Sequence, residues 1–443
     1  MSNADQTDAG PNPNGIKLGP LWLAPGIGSV DAALLLTVTM TNIAMITFFV
    51  FLQPYLLSEI LHIPDARQGT LTGNLASLQE ILLLLLMGFV GALSDTRGRR
   101  VLAAIGFAAL SVSFFLYPLV ASETQLYLAR IIFAAGAATV SVITTSCVVA
   151  YIQNVSRGKW SGLVSVCNSL GIIFVAVVLS KTPAWLISQG LDAELAGRYT
   201  YWIGALICLC VLPLAFWRLK EADAQPQARH ESIGQQILSG LAAARANPRL
   251  PLAYTAGIIG RGDLIVVSTF LSLWVVQAGI PAGISTGESM ARAGMVFGVI
   301  QTSALVWAPL MGMIVDHVHR VTALAIAMGI AATGYLMMGQ VADPFSNDIF
   351  PVAIVLGMGE NSVLIAGLAL LGQEAPKRLY GTIVGMFLVM GSLGVILASW
   401  VGGQLFDHWS RTGPFTLMGI LNLVGLIWAL LLRLRSPDTP AQT

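Results

Sequence analysis

Residues 70–100 read TLTGNLASLQEILLLLLMGFVGALSDTRGRR, and this stretch decides the fold class. Its apolar part is long enough to cross the hydrocarbon core of a bilayer, which takes about 20 helical residues. Lipid offers the backbone no hydrogen-bond partners, so a single segment of this kind must be an α-helix. The stretch therefore predicts a membrane-spanning helix that ends in a short loop rich in glycine and arginine.

Similar runs recur along most of the 443 residues, of which 56% are hydrophobic and only 10% are charged. So little charge cannot cover a water-soluble surface, and the solvent for most of the chain must be lipid. The sequence therefore predicts an all-α membrane protein with twelve transmembrane helices. The predicted spans are 32–56, 70–93, 101–120, 125–151, 160–180, 200–217, 251–277, 293–315, 321–342, 351–373, 380–403 and 414–432.

Neither a nucleic-acid partner nor a cofactor is indicated. The net charge is +1, and the basic residues are scattered among short loops. The four cysteines lie inside predicted spans without a histidine at ligand spacing, which argues against a disulfide or a metal site. All five histidines lie in loops or at span ends, so we predict no catalytic residues and no enzyme. Residues 1–30 lack the pattern of a signal peptide and predict a mobile tail.

Lysine and arginine are distributed unequally between the two sides of the predicted membrane. With an even number of spans, the side that holds both termini receives sixteen of the 23 basic residues, and the opposite side receives five. Loops with an excess of Lys and Arg stay in the cytoplasm. We therefore expect both termini to be cytoplasmic and the protein to lie in the cytoplasmic (plasma) membrane, the inner membrane.

Residues 218–250 form the longest polar segment between predicted spans and divide the chain into six spans plus six. Within this segment Ser232 and Gln235 resemble a capping box, and Asn247-Pro248 stops the helical pattern, so we expect a short amphipathic helix on the inner membrane surface. The predicted organisation is a cytoplasmic tail at 1–30, a six-helix bundle at 31–217, a cytoplasmic linker at 218–250, a second six-helix bundle at 251–435 and a cytoplasmic tail at 436–443.

The two halves carry an internal repeat. Gly91–Arg100 (GALSDTRGRR) follows the second predicted span, and Gly312–Arg320 (GMIVDHVHR) follows the eighth at an offset of 221 residues. Gly162, near the start of the fifth span, and Gly381, near the start of the eleventh, repeat at an offset of 219 residues. This agreement argues against chance and indicates two halves of one design.

The Gly-x-x-x-Asp-x-x-Gly-Arg-Arg loop, its degraded copy and the six-plus-six layout resemble the major facilitator superfamily over residues 31–435. The fourth span adds Arg130 and Gly136, which is similar to the superfamily's fourth-helix motif with Ala134 where the first glycine usually stands. The resemblance implies halves related by a pseudo-two-fold axis and a central cavity lined by helices one, four, seven and ten. The proline-glycine motif of drug:proton antiporters is absent from the fifth span, which departs from that subfamily.

Ionisable side chains inside the spans are the candidates for chemistry, because each costs on the order of 2.5–3.5 kcal/mol in lipid and must face the bundle interior, a partner or water. Glu80 lies about 21 Å from the cytoplasmic end of its helix, and its counterpart in the repeat is Gln301. Glu80 either exchanges a proton during transport or joins helices through hydrogen bonds. Arg130 is expected to face inward by its motif, although its position would also allow it to snorkel outward.

Arg261 and Asp263 lie in a glycine-rich part of the seventh span, roughly 15–18 Å from its inner end. Two residues apart, they point to different faces and need separate partners, and the glycines would let the helix break or bend. Either they face substrate in the cavity or they form structural salt bridges. Glu360, followed by Asn361, could reach Arg261, bind a cationic group or stay neutral and hydrogen-bonded. Asn42 aligns with Arg261 in the repeat and is a cavity residue or an interhelical hydrogen-bonding group.

The inner loops supply six candidate gating residues, namely Gly91, Asp95, Arg99, Gly312, Asp316 and Arg320. A carboxylate there can accept a hydrogen bond from the end of a neighbouring helix or from arginine, and it can stabilise one of two access states. A topology signal alone would explain the arginines but not Asp95 and Asp316.

These features predict a secondary active transporter that moves a small organic solute by alternating access, with a proton carried by Glu80, Asp263 or Glu360. The chain has no Gly-x-x-x-x-Gly-Lys-Ser/Thr pattern, which argues against an ATP-driven pump. A lysolipid or drug efflux carrier of the same superfamily, sodium coupling and a non-transporting membrane sensor are the alternatives. The expected partners are the solute, protons and membrane lipid, and we expect a monomer.

Overall fold

The computed structural model describes residues 15–220, 233–376 and 379–435. The predicted tail at 436–443 lies outside these residues, and so does the predicted capping box at Ser232. The fold and the site are built from the described ranges alone.

Within the described residues, twelve helices are long and apolar enough to cross a membrane, which confirms the predicted number. Several of them extend beyond the predicted ends, because polar residues continue the helical backbone past the apolar centre of each span. Numbered in chain order, the spans are Ser29–Ile60, Asp65–Ser94, Arg99–Leu119, Glu123–Ala150, Asn154–Ser188, Ala193–Arg218, Arg249–Ala282, Thr286–His317, Arg320–Gly339, Ile349–Glu374, Tyr380–His408 and Gly413–Arg435.

Serine caps fix the start of two spans. Ser122 accepts a hydrogen bond from the backbone N–H of Gln125 at the start of the fourth span. Ser285 and Glu288 form a complete capping box at the start of the eighth span, each side chain accepting from the other residue's backbone N–H. These bonds satisfy amides that a helix start otherwise leaves without partners.

The seventh span contains a single α-helix, Arg249–Gly279, so the backbone does not break at the glycines that would have allowed it to. A Cβ on Gly257 would lie 3.1 Å from the ring of Phe387, and one on Gly262 would lie 2.9 Å from the methyl group of Met418. The glycines therefore serve close packing against the eleventh and twelfth spans.

The irregular backbone lies elsewhere. The tenth span consists of two helices, Ile349–Glu360 and Ser362–Glu374, which meet at Asn361. The first span ends in a π-helical turn, Leu56–Ile60. Both departures from α-helical geometry occur beside polar residues. Irregular helical turns of this kind are frequent at functional sites.

Residues 15–28 belong to the predicted mobile tail, but they are packed against the rest of the chain, so that part of the prediction is wrong. Strands β1 (Lys17–Leu18) and β2 (Leu21–Trp22) form an antiparallel hairpin, and Leu23 pairs with Ile152 in an isolated bridge. The Leu23 side chain is fully buried. Burial of apolar side chains here offsets the entropy lost by ordering the segment.

The contacts divide the chain into two compact units. The first comprises Met1–Phe49, Leu82–Val175 and Arg198–Arg229. Its described core contains an aromatic cluster in which the rings of Phe49 and Phe133 stack with 3.7 Å between their centroids. This cluster lies beside the first half of the fourth span, around Arg130 and Phe133.

The second unit comprises Val50–Ile81, Ala176–Gly197 and His230–Thr443. It contains the last six spans. It also contains the end of the first span with the start of the second, and the end of the fifth span with the start of the sixth. The predicted six-helix bundles at 31–217 and 251–435 divide the chain by sequence position and not by contacts. That division stays a prediction.

Within the second unit, the second and eleventh spans pack closely along what we call the small-residue seam, formed by Gly69, Gly73 and Ser77 against Ser399, Gly403 and Asp407. The N–H groups of Gly69 and Thr70 donate to the Asp407 carboxylate at 2.8 and 2.6 Å. A Cβ on Gly73 would lie 3.2 Å from the Cα of Gly403. Such close backbone contact needs small residues.

A helix in the predicted linker spans Ile233–Ala246 and ends beside Asn247, where the sequence predicts its end. A Cβ on Gly240 would lie 2.6 Å from the Cγ of Met386, and the Tyr254 hydroxyl donates to the Gly240 carbonyl at 3.4 Å. The helix therefore packs against the seventh and eleventh spans.

Candidate functional site

In the second unit, Glu80 and Arg261 form an ion pair between the second and seventh spans. Arg261 Nη2 donates to Glu80 Oε1 at 3.4 Å, and Ser392 Oγ from the eleventh span donates to the same oxygen at 2.6 Å. Three helices therefore meet at one carboxylate. The partner of Arg261 is Glu80 and not Glu360, which the sequence had offered as a residue within reach of Arg261.

The two side chains of this pair differ in exposure. The Glu80 side chain is only 7% exposed, whereas that of Arg261 is 44% exposed. A guanidinium at the middle of a span does not face lipid, so the exposed part of Arg261 faces water. A Cβ on Gly391 would lie 2.8 Å from the Cγ of Arg261, so this glycine leaves room for the arginine stem.

Asp263 lies on another face of the seventh span than Arg261, as their spacing predicts. It is fully buried, and the Asn422 side chain from the twelfth span donates Nδ2 to both carboxylate oxygens at 3.0 and 3.1 Å. Its partner is thus a neutral amide, and among the described residues Asp263 forms no structural salt bridge, the alternative that the sequence allowed.

Glu360 is also buried beside a neutral amide. Its carboxylate oxygens accept hydrogen bonds from Gln301 Nε2 at 3.1 and 2.9 Å. Glu360 therefore points to the eighth span and not to Arg261. Asn361, which follows it, is half-buried and stands where the two helices of the tenth span meet.

Tyr335 on the ninth span joins this buried polar region. It interacts electrostatically with both Asp263 and Glu360. Its hydroxyl is buried and has no hydrogen-bond partner among the described residues. The sequence analysis did not identify Tyr335, Asn422 and Ser392 as site residues. The signal that could have identified each of them is a polar side chain inside an apolar span.

In the first unit, Arg130 is buried among aromatic rings. Its guanidinium carbon lies 5.2 Å from the ring centroid of Phe49 and 5.6 Å from that of Phe133. Its Nε and Nη1 atoms have no hydrogen-bond partner in the described part of the chain. Arg130 therefore faces inward, as its motif predicts, and the outward alternative is wrong.

Asn42 links two spans of the first unit. Its Nδ2 donates to Ser141 Oγ on the fourth span at 3.1 Å, and the side chain is buried. Its Oδ1 has no partner among the described residues. This contact is an interhelical hydrogen bond, which is one of the two roles that the sequence allowed for Asn42; the other was a place in the cavity.

The first copy of the loop motif is built around a glycine turn. Gly98 has a φ of 86°, a left-handed conformation that suits glycine, and Arg99 begins the third span directly after it. Gly91 lies in open surroundings, since a Cβ there would meet nothing within 4 Å. The side chain of Asp95 lies outside the described residues, so its predicted gating role stays a prediction.

The second copy forms a local ion pair. Arg320 Nη1 donates to Asp316 Oδ1 at 3.4 Å, one helical turn away, and also to the Val315 carbonyl. Gly312, like Gly91, has no atom within 4 Å of an added Cβ. The structure thus pairs the two charged members of this copy with each other.

Comparisons with known proteins agree with this architecture. The chain matches the model of the Major Facilitator Superfamily over residues 34–398 and again over 304–443. The magnetosome protein MamH of Paramagnetospirillum magneticum is 26% identical over 392 residues, which cover 87% of this chain and 88% of MamH. The magnetosome protein MamZ of the same organism is 25% identical over 399 residues, and that match covers 87% of this chain but only 60% of MamZ.

The fold has counterparts among solved structures. The crystal structure of the nucleoside transporter NupG superimposes with a TM-score of 0.72 at 14% identity, covering 90% of this chain and 98% of NupG. Such low identity shows a shared fold. The family match over most of the sequence, together with the twelve spans, shows that this chain belongs to the major facilitator superfamily of membrane transporters.

Proposed function

We propose that this protein is a secondary active transporter that moves a small organic solute across the cytoplasmic membrane by alternating access, with a proton as the coupling ion. The observation that carries the proposal is the pair of Glu80 and the half-exposed Arg261 inside the membrane. Charges at this depth are costly and mark solute or ion pathways.

Proton coupling is supported by the way in which the carboxylates are held. A carboxylate binds a proton more tightly when it loses a cationic partner or is shielded from water. Glu80 has a cationic partner on a neighbouring helix, whereas Asp263 and Glu360 have amide partners. Movement of one helix against another therefore changes the charge beside Glu80 most directly.

The orientation and the gates belong to the same proposal. We place both termini in the cytoplasm because of the distribution of basic residues. We assign the inner loop residues, Gly91, Asp95, Arg99, Gly312, Asp316 and Arg320, to the gate on that side. A single chain provides all of these parts, which favours a monomer.

The test uses proteoliposomes that contain a pH-sensitive dye, to which candidate solutes are added. A proton-coupled transporter moves protons when its solute is present, and it accumulates that solute under an imposed pH gradient. Glu80→Gln, Asp263→Asn and Glu360→Gln keep the shapes of the side chains and remove the titratable groups. We expect at least one of these variants to lose accumulation while it still exchanges solute at equal pH.

Three outcomes decide between the alternatives. Accumulation that persists in all three amide variants contradicts proton coupling. Accumulation that follows a sodium gradient instead supports the sodium alternative. A protein that binds solute in a thermal-shift assay but exchanges none is a sensor and not a carrier, and preferential exchange of lysolipids or drugs identifies the efflux alternative.

A further inference from the structure

The charge that faces water at the centre of the second unit is positive. Among the charged groups deep in its described spans, Asp263 and Glu360 are at most 1% exposed, and the Glu80 side chain is 7% exposed. The Arg261 side chain is 44% exposed. This region has three carboxylates and one arginine, but the carboxylates are buried. The arginine is therefore the charged group that a solute would contact.

The hydrogen-bonding capacity of these groups points the same way. Both oxygens of Asp263 and of Glu360 are occupied by an amide, and Glu80 Oε1 accepts from Ser392 as well as from Arg261. A guanidinium has five N–H donors. The one ion pair of Arg261 among the described residues is 3.4 Å long, whereas charge-assisted bonds are usually about 2.7–2.9 Å. Arg261 therefore has donors to spare.

We propose that the solute carries an anionic group, a carboxylate, phosphate or sulfonate, which binds Arg261 in place of Glu80. This proposal rests on the proposed transport function and names its substrate class. The flat fork of a guanidinium matches two oxygens of such a group. Gly391 leaves room for the arginine stem, because any larger residue there would collide with it.

The exchange also links the solute to the proton. When the anion occupies Arg261, Glu80 keeps its hydrogen bond from Ser392 but loses its cationic partner. Among the described residues, Arg261 is the charged group that contacts Glu80, so its loss leaves the carboxylate free to take up a proton. One monovalent anion and one proton then bind together, and the net charge of the region is unchanged.

The binding test uses purified full-length protein in detergent and matched small molecules at millimolar concentration. Acetate, benzoate, succinate and phenyl phosphate are the anions, acetamide, benzamide, succinamide and phenol are neutral analogues, and ethylamine and benzylamine are cations. We expect at least one anion to raise the thermal unfolding temperature, and its neutral or cationic analogue to have no such effect.

Variants assign the effect to the pair. Arg261→Gln should weaken anion binding about ten- to a hundred-fold, and Arg261→Lys should retain part of it. Arg157→Gln, an exposed arginine elsewhere, should bind as the wild type does. Glu80→Gln should bind the anion more tightly and with less dependence on pH, because the competing carboxylate is gone.

The proposal is overturned if no anion of the panel stabilises the protein, if only neutral or cationic molecules do so, or if the anion effect persists in Arg261→Gln. The same panel in dye-loaded proteoliposomes separates this failure from failure of the proposed function. Proton movement driven only by neutral or cationic solutes contradicts the anion class and keeps proton-coupled transport. Proton movement with no solute at all contradicts transport by this mechanism.

Discussion

At the scale of single residues, three buried ionisable side chains in the described spans lie beside neutral groups. Asp263 is held by Asn422 and Glu360 by Gln301, although opposite charges would compensate each carboxylate more strongly. Arg130 is surrounded by aromatic rings. Residues that break the rule of charge pairing in this way are expected at functional positions.

We expect Asn422→Ala to lower the free energy of unfolding by about 1–3 kcal/mol, because it leaves the buried Asp263 carboxylate without a hydrogen-bond donor. In the background of Asp263→Leu, the same substitution should cost much less. Thermal unfolding in mild detergent of the two single variants and the double variant gives the coupling between the residues. An equal cost of Asn422→Ala in both backgrounds would contradict the pairing.

Arg130 should show the opposite balance between stability and activity. Arg130→Met keeps an unbranched side chain of similar length and removes a charge that has no carboxylate partner among the described residues, so we expect unchanged or higher thermal stability. We also expect transport to be lost, while Arg130→Lys retains part of it. A clear loss of stability in Arg130→Met, with transport intact, would show that the guanidinium serves only the aromatic cluster.

At the scale of helices, the small-residue seam joins the second span to the eleventh. We expect Gly73→Leu to impair transport, because a side chain there would collide with the backbone of the eleventh span. Overpacking of this kind costs typically about 1–3 kcal/mol, which would shift an equilibrium between a closed and an open seam about 5- to 150-fold.

The matched control for the seam is Gly88→Leu on the same helix, where an added Cβ meets nothing within 4 Å. Solute exchange in proteoliposomes measures both variants. Equal transport by the two would mean that the seam need not close during the cycle. Equal loss would mean that the helix tolerates no leucine at either glycine.

At the scale of the whole molecule, the orientation in the membrane is the feature with the widest consequences. We expect Ala242→Cys, in the helix between the sixth and seventh spans, to be inaccessible to an impermeant thiol reagent added outside intact cells. Asn347→Cys, in the loop between the ninth and tenth spans, should react. Both residues are exposed, so access to the reagent depends on the side of the membrane alone. The four native cysteines are first replaced by alanine, and the reverse pattern would invert the topology.

The sequence by itself determined the membrane class, the twelve spans and the repeated loops. Each of these depends on the length and hydropathy of a local run, which are the same whatever the run packs against. It also identified Glu80, Arg261, Asp263 and Glu360, because a charge inside an apolar run is visible without a structure.

Only the tertiary structure decided the partners of these charges. Glu80 is 181 residues from Arg261 and 312 from Ser392 along the chain, and Asp263 is 159 from Asn422. Hydropathy does not report how each helix is rotated about its axis, and that rotation decides which side chains meet. For the same reason the glycines of the seventh span did not decide whether that helix breaks, because glycines that allow a bend also allow close packing. The two helices of the tenth span meet instead at Asn361.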